Sequence, residues 1–278
     1  MKKIKWDFIF RALIIALGIL FVGSWLPGML RPLTFAGDWI QYFKPAIQAV
    51  INGQSPYSVP GFVSPPWLLV LIGPFALLPF PADIIAIITV SVAVYVFALR
   101  RLGASWYIVA LFMLLPQVWW SILLGNTDFL ICLGIAINPL IGLILISTKP
   151  QAAIGVAVFW LVETWRKSGW KEVLKICTPT AVLFIISLVI FGFWPARMGW
   201  AADVPWNISP WPFMLPIGIV LLSKALKERN KGYSISSSVF FSPYLGLQSL
   251  AIPVLGLINS ELYFSMAVFG LWLAWILM

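Results

Sequence analysis

Proton chemistry in this chain has few candidates. Its 278 residues include nine acidic and eighteen Lys or Arg side chains and no histidine, so the commonest general base and metal ligand is missing. Acid–base work therefore falls to carboxylates, Lys or Tyr. Asp38 stands out by position. It follows the first apolar run, in the polar break Arg31-Pro32-Leu33-Thr34-Phe35-Ala36-Gly37-Asp38-Trp39, with Tyr42 close behind. A carboxylate just past a lipid-facing helix is placed to take the proton from a hydroxyl held at the membrane surface. The plainer role for such an Asp is to cap a helix in an external loop.

Three further charges complete a constellation. Asp128 closes the polar turn Gly125-Asn126-Thr127-Asp128, Lys149 follows a short apolar run, and Arg197 lies in a Trp-rich loop. The topology argued below assigns all three to the same membrane face as Asp38. Ionisable residues at membrane depth are costly, which makes unexplained ones functional candidates. Asp38 would act as base while Lys149 and Arg197, with Arg31 in the first break, stabilise a departing phosphate. Asp128 would orient an acceptor, pair with Lys149, or join Asp38 in holding a divalent cation (Mg or Mn). Gln151, Tyr57, Trp39, Asn126 and Tyr244 complete the expected lining. Each charge also has a modest alternative: Lys149 snorkelling to water, Asp128 capping the helix that begins at Phe129, Arg197 touching lipid headgroups. The sequon Asn207-Ile208-Ser209 is followed by proline and is read as chance.

Composition dictates the setting of this chemistry. The chain is 62% hydrophobic and 10% charged with mean hydropathy +0.99, values of a polytopic membrane protein. The net charge of +9 does not point to nucleic acid, because the basic residues sit at the ends of apolar runs, as orientation signals do. Cys132 and Cys177 both fall within apolar segments and read as small buried hydrophobes. Met1-Lys2-Lys3-Ile4-Lys5 and the following run read as a retained anchor rather than a cleaved signal.

We expect a single integral membrane domain: a first span (1–28), an external loop with juxtamembrane helices (29–82), core spans (83–193), an external Trp-rich loop (194–210) and C-terminal spans (211–278). Span one, Ala12 to Pro27, places the N-terminus in the cytoplasm of a cell-membrane protein and Asp38 outside. Pro65 to Pro79 is short and proline-interrupted, hence re-entrant or juxtamembrane. Ile84 to Leu99 returns inward to Arg100 and Arg101, and Ser105 to Leu124 runs outward to an aromatic belt at Trp119-Trp120. Phe129 to Thr148, broken at Asn138-Pro139, is expected to be a hairpin of two short helices. Ile154 to Trp165 then runs inward, and Val173 to Phe193 outward to Trp194, Trp200, Asp203, Trp206 and Trp211, a loop suited to the headgroup layer. Met214 to Leu222 returns to Lys224, Lys227, Arg229 and Lys231. Tyr233 to Leu257 is one span or two pieces broken at Ser242-Pro243-Tyr244, and Leu262 to Met278 is a last span. With these choices all but four of the eighteen basic residues are cytoplasmic, the exceptions being Arg31, Lys44, Lys149 and Arg197. The fold expected is an all-α polytopic bundle of about nine to eleven membrane segments.

The order of motifs carries a resemblance. Asp38 is followed by Gly53-Gln54-Ser55-Pro56-Tyr57, Ser64-Pro65-Pro66, Leu124-Gly125-Asn126-Thr127-Asp128, Thr148-Lys149-Pro150-Gln151 and Ser242-Pro243-Tyr244. This series resembles the C-superfamily (GT-C) polytopic glycosyltransferases, most nearly the bacterial polyprenyl-phosphate-mannose-dependent mannosyltransferases. The resemblance implies a catalytic Asp at position 38, a polyprenyl-phosphate sugar donor arriving laterally from the bilayer, and inversion at the anomeric carbon. It further implies a hexosyltransferase acting on a lipid or glycan acceptor at the extracytoplasmic face, with membrane lipids and no nucleic acid as partners. Ser64 replaces the Tyr usual in that family, and the chain is shorter than most members. Two other readings stay open: a lipid or solute transporter or flippase, for which broken helices are a feature, and a non-catalytic membrane subunit retaining the same fold.

Overall fold

The computed structural model describes residues 35–197, 204 and 207–277, with scattered positions between 8 and 20. Most of the expected first span, Arg31, Trp200, Asp203 and Trp206 lie outside the described residues. Every regular element among those described is helical, which is compatible with backbone groups satisfying one another in lipid.

The loop after the expected first span is a small helical unit of its own. A π-helical turn, Trp39–Phe43, runs into α1 (Lys44–Ile51), and a one-turn helix at Pro56–Ser58 leads to α2 (Trp67–Ala76). At ten residues, α2 is roughly 15 Å long, half the hydrocarbon thickness. That agrees with the juxtamembrane reading of Pro65 to Pro79. This unit is pinned to α3 (Ala82–Arg101) by Asp83, 1% exposed. Its Oδ2 accepts from the Trp39 indole at 2.9 Å and from the Lys44 ammonium at 2.7 Å.

Two described helices are long and apolar enough to cross a bilayer, α3 and, further on, Trp170–Phe191; a third arises if a bent pair is counted as one span. That pair is α4 (Trp106–Met113) and α5 (Pro116–Leu124), which meet at 63°. The sequence suggested one span from Ser105 to Leu124. Pro116 explains the bend: it offers no N–H and forces Leu115 out of the helical region, to ψ 131°. The other expected segments that fall within the described residues are shorter helices.

The hairpin expected at Asn138-Pro139 is present. Helices α6 (Asp128–Ala136) and α7 (Pro139–Ile146) turn there, with the Asn138 side chain accepting from the Ile141 N–H at 3.1 Å. Their close approach needs glycine: a Cβ on Gly142 would sit 2.7 Å from the Gly134 carbonyl oxygen. Next come α8 (Ile154–Ser168), α9 (Trp170–Phe191), α10 (Leu215–Glu228) and α11 (Lys231–Ser237). Tyr233 to Leu257 is two pieces rather than one, the second containing α12 (Ala251–Val254), and α13 (Glu261–Leu277) follows.

Helix α9 is apolar and largely uncovered. Only 11% of its most apolar window is buried, and Val182, Ile185, Ile186, Val189 and Ile190 face outward. So large an apolar stripe is unfavourable against water and suits lipid. Trp194, expected in the headgroup layer, is 4% exposed instead. It stacks on Tyr57 at 6.3 Å, packs against Trp67 and Phe184, and donates to the Ser187 hydroxyl at 2.9 Å.

Candidate active site

Backbone contacts bring the first polar break onto the α5–α6 turn. The Ala36 N–H donates to the Leu123 carbonyl at 2.7 Å, and the Ala36 carbonyl accepts from Ile40 at 2.8 Å. Gly125 ends α5 with φ +67°, and a Cβ there would lie 2.7 Å from the Trp39 Cβ. Only glycine satisfies both the left-handed conformation and the contact. With the two segments back to back, Asp38 faces Asn126.

A continuous polar chain follows. The Asn126 amide donates to Asp38 Oδ2 at 2.6 Å, and its carbonyl oxygen accepts from Lys149 Nζ at 3.1 Å. Lys149 also forms an ion pair with Asp128 Oδ1, and the Ser249 hydroxyl donates to Asp128 Oδ2 at 3.2 Å. The Asp128 and Lys149 side chains are 1% and 12% exposed, so both charges of the ion pair depend on these partners. Lys149 reaches the chain because the turn after α7 aims it inward, its N–H bonded to the Ile146 carbonyl.

Asp38 and Lys149 both line one cavity of about 700 Å³, within the range of small-molecule sites. Tyr42, Ser64, Gln151, Tyr244 and Gln248 share its wall. The far wall, Phe241 to Tyr244, is held by Asn207, whose amide donates to the Pro243 carbonyl at 2.7 Å while its Oδ1 accepts from the Leu245 N–H at 3.0 Å. Ser209 adds a bond to the Ser242 carbonyl. The sequon read as chance is thus a structural clamp.

Several expected residues sit elsewhere. Trp39, expected on the lining, is fully buried against Asp83. Tyr57 is turned away, its hydroxyl donating to the Ser64 carbonyl at 3.0 Å. Asp128 lies behind the cavity wall, and of its three expected roles it takes the pairing with Lys149, with the Ser249 hydroxyl as a further donor. Arg197 is exposed and absent from the lining. Arg31, the remaining phosphate-binding candidate, lies outside the described residues. No group of three His, Cys, Asp or Glu that could hold a metal ion occurs among the described residues.

Electrostatics favours a base at position 38. Burial pushes the Asp38 carboxyl above the ordinary carboxylate range; the Asn126 hydrogen bond and the Lys149 charge pull it partly back, and Asp128 opposes them. A carboxylate raised in this way is a better proton acceptor once ionised. One oxygen is occupied by Asn126, and Oδ1 has no partner among the described residues. The Lys149 ammonium has three donors, of which two are used.

Sequence reasoning missed Gln248, which stands in no motif, and Asp83, whose partners are distant in sequence. An acid opening an apolar helix was its only local signal. Comparison with protein-family models, with curated proteins and with solved structures found no match.

Proposed function

We propose that the chain is a polytopic membrane glycosyltransferase of the GT-C type that moves a sugar, mannose being the first choice, from a polyprenyl phosphate to a lipid or glycan acceptor. The observation that carries this reading is the pairing of Asp38 and Lys149 on one cavity wall, joined through Asn126. A base and a cation held a short distance apart are what glycosyl transfer with inversion requires. The acceptor hydroxyl oxygen bonds to the anomeric carbon as the bond from that carbon to the phosphate oxygen breaks. The electron pair leaves with the polyprenyl phosphate, whose added negative charge meets the third Lys149 N–H. The acceptor proton passes to Asp38 Oδ1. No nucleotide is involved, consistent with a sequence that lacks a Gly-rich phosphate loop.

The test offers purified protein a panel of polyprenyl-phosphate sugars with membrane-lipid and glycan acceptors and follows donor consumption by mass spectrometry. Consumption of one donor, lost in Asp38→Ala, supports the reading. Full sugar transfer by Asp38→Ala would exclude the mechanism.

A further inference from the structure

At the end of α6 remote from Asp128 lies a second cavity, of about 450 Å³. The helix has nine residues, so the two ends are roughly 13 Å apart. Arg101 from the last turn of α3, the α10–α11 turn from Glu228 to Lys231, and Asn259 beyond α12 contribute its polar wall. The wall closes because glycines meet: a Cβ on Gly232 would lie 2.5 Å from the Gly256 carbonyl oxygen.

The charges here are available in a way that those around Asp38 are not. Arg100 is used by the fold, donating to the Ala104 carbonyl and lying 4.7 Å from the Trp106 ring centroid. Its neighbour Arg101 has no hydrogen bond or ion pair among the described residues and lines the cavity. Lys231 gives one N–H to the Ile135 carbonyl at 3.0 Å, which leaves two donors of its ammonium. Arg229 adds a third cation from a backbone held at φ +52°, a left-handed conformation that costs any residue with a side chain. Its guanidinium is 3.9 Å from Glu163. The lining carries one carboxylate, Glu228, which is 4.0 Å from Lys224. Basic residues at helix ends serve to orient a membrane protein, but orientation needs neither a concavity nor cations gathered there from separate helices.

We propose that this cavity binds a phosphate group, carried by a lipid headgroup or as free phosphate, with Arg101 and Lys231 as its principal donors. Guanidinium and ammonium together give the charge-assisted hydrogen bonds that phosphate oxygens accept. The site is independent of the sugar-transfer reading, and neither requires the other.

The experiment titrates the full chain in non-ionic detergent with inorganic phosphate, dihexanoyl phosphatidic acid and dihexanoyl phosphatidylcholine, read by calorimetry and native mass spectrometry. Saturable binding of phosphatidic acid but not phosphatidylcholine is expected. It should weaken roughly tenfold in Arg101→Gln and further when Lys231→Gln is added. Glu228→Gln, which removes the carboxylate of the lining, should tighten it several-fold. Arg101 and Glu228 are exposed, so these two variants report without disturbing the core. Comparable affinity for inorganic phosphate makes free phosphate the source, and binding of the lipid alone makes it the headgroup; either supports the site. Failure of both inorganic phosphate and phosphatidic acid to bind, phosphatidylcholine binding as tightly as phosphatidic acid, or affinities unchanged in Arg101→Gln and Glu228→Gln, overturns it.

Discussion

The two cavities lie towards opposite ends of helix α6 and use charge in opposite ways. At the Asp128 end each charged side chain is tied to another side chain, in the series Asp38, Asn126, Lys149, Asp128 and Ser249. At the Ala136 end the cations bond to a backbone carbonyl, pair loosely, or have no described partner. A closed network in a low-dielectric surrounding fixes geometry and makes each break costly. An open basic rim tolerates substitution and remains free for a ligand. The first cavity should therefore respond sharply to single changes in both rate and stability, and the second mainly in binding.

The largest expected effect falls on Asp38. Asp38→Asn should lower sugar transfer by about 10²–10⁴-fold, the usual contribution of a general base, measured by donor consumption. Stability should move the other way. A carboxyl whose folded value is raised contributes stability that is full below its unfolded value and is lost as pH rises through the folded one. Asp38→Asn is then expected to melt higher than the wild type at pH 8, with the gap closing towards pH 4. A lower melting temperature at pH 8 would mean that the ionised carboxylate is fully compensated, and the contrast between the two ends would weaken.

Next in size is Lys149→Met, which leaves the Asp128 carboxyl, 1% exposed, without its counter-ion. Breaking a buried pair from one side costs about 3–5 kcal/mol, measurable by thermal or denaturant unfolding in detergent. Adding Asp128→Asn should recover much of that stability while leaving transfer abolished, since the phosphate has still lost its cation. Equal loss in the single and double variants would show that packing, rather than charge, accounts for the cost. Gly125→Ala is expected to cost about 1–3 kcal/mol, because it combines φ +67° with a 2.7 Å approach to the Trp39 Cβ. By contrast Gly103, also at positive φ and with nothing near its Cβ, should pay only for its conformation.

How much of this was legible depended on whether the signal was local. Proline and Asn marked the α6–α7 hairpin, because Asn138 caps the second helix and Pro139 sits at its first position. Proline also caused the α4–α5 bend, yet one Pro within a long apolar run is compatible with a kinked span. Only the backbone at Leu115 shows how far the axis turns. Asp38 and Lys149 were legible as rare charges beside apolar runs, and Asn126 and Asp128 as a polar turn. Their arrangement was not, since Asn126 reaches Asp38 across 88 positions. Trp39 and Tyr57 misled because an aromatic beside Asp38, or within a motif that follows it, looks like lining, while its partner, Asp83 or Trp194, is distant in the chain.

Asn126 tests whether the network sets the chemistry as well as the shape. Its amide lowers an Asp38 value that burial has raised. Asn126→Ala should move Asp38 higher still, so the acid limb of the transfer-rate profile shifts to higher pH while the plateau falls modestly. A purely structural role would reduce the rate at every pH and leave the limb in place.

The smallest effect belongs to an exposed ion pair on α9 that lines neither cavity, and its smallness is informative. Lys175 pairs with Glu172 at 3.1 Å, with side chains 66% and 40% exposed. Such pairs contribute roughly 0.2–1 kcal/mol, and often nothing measurable. Lys175→Ala should leave both melting temperature and transfer within error of the wild type, in low and high salt. The Lys149–Asp128 pair is closed by Ser249 and carries the same formal charges. Its stabilisation should persist at high salt, because buried charges are screened far less. If the two pairs weakened alike as salt rose, the water-poor character assigned to the Asp38 end would be wrong, and with it the reason for expecting Asp38 to act as a base.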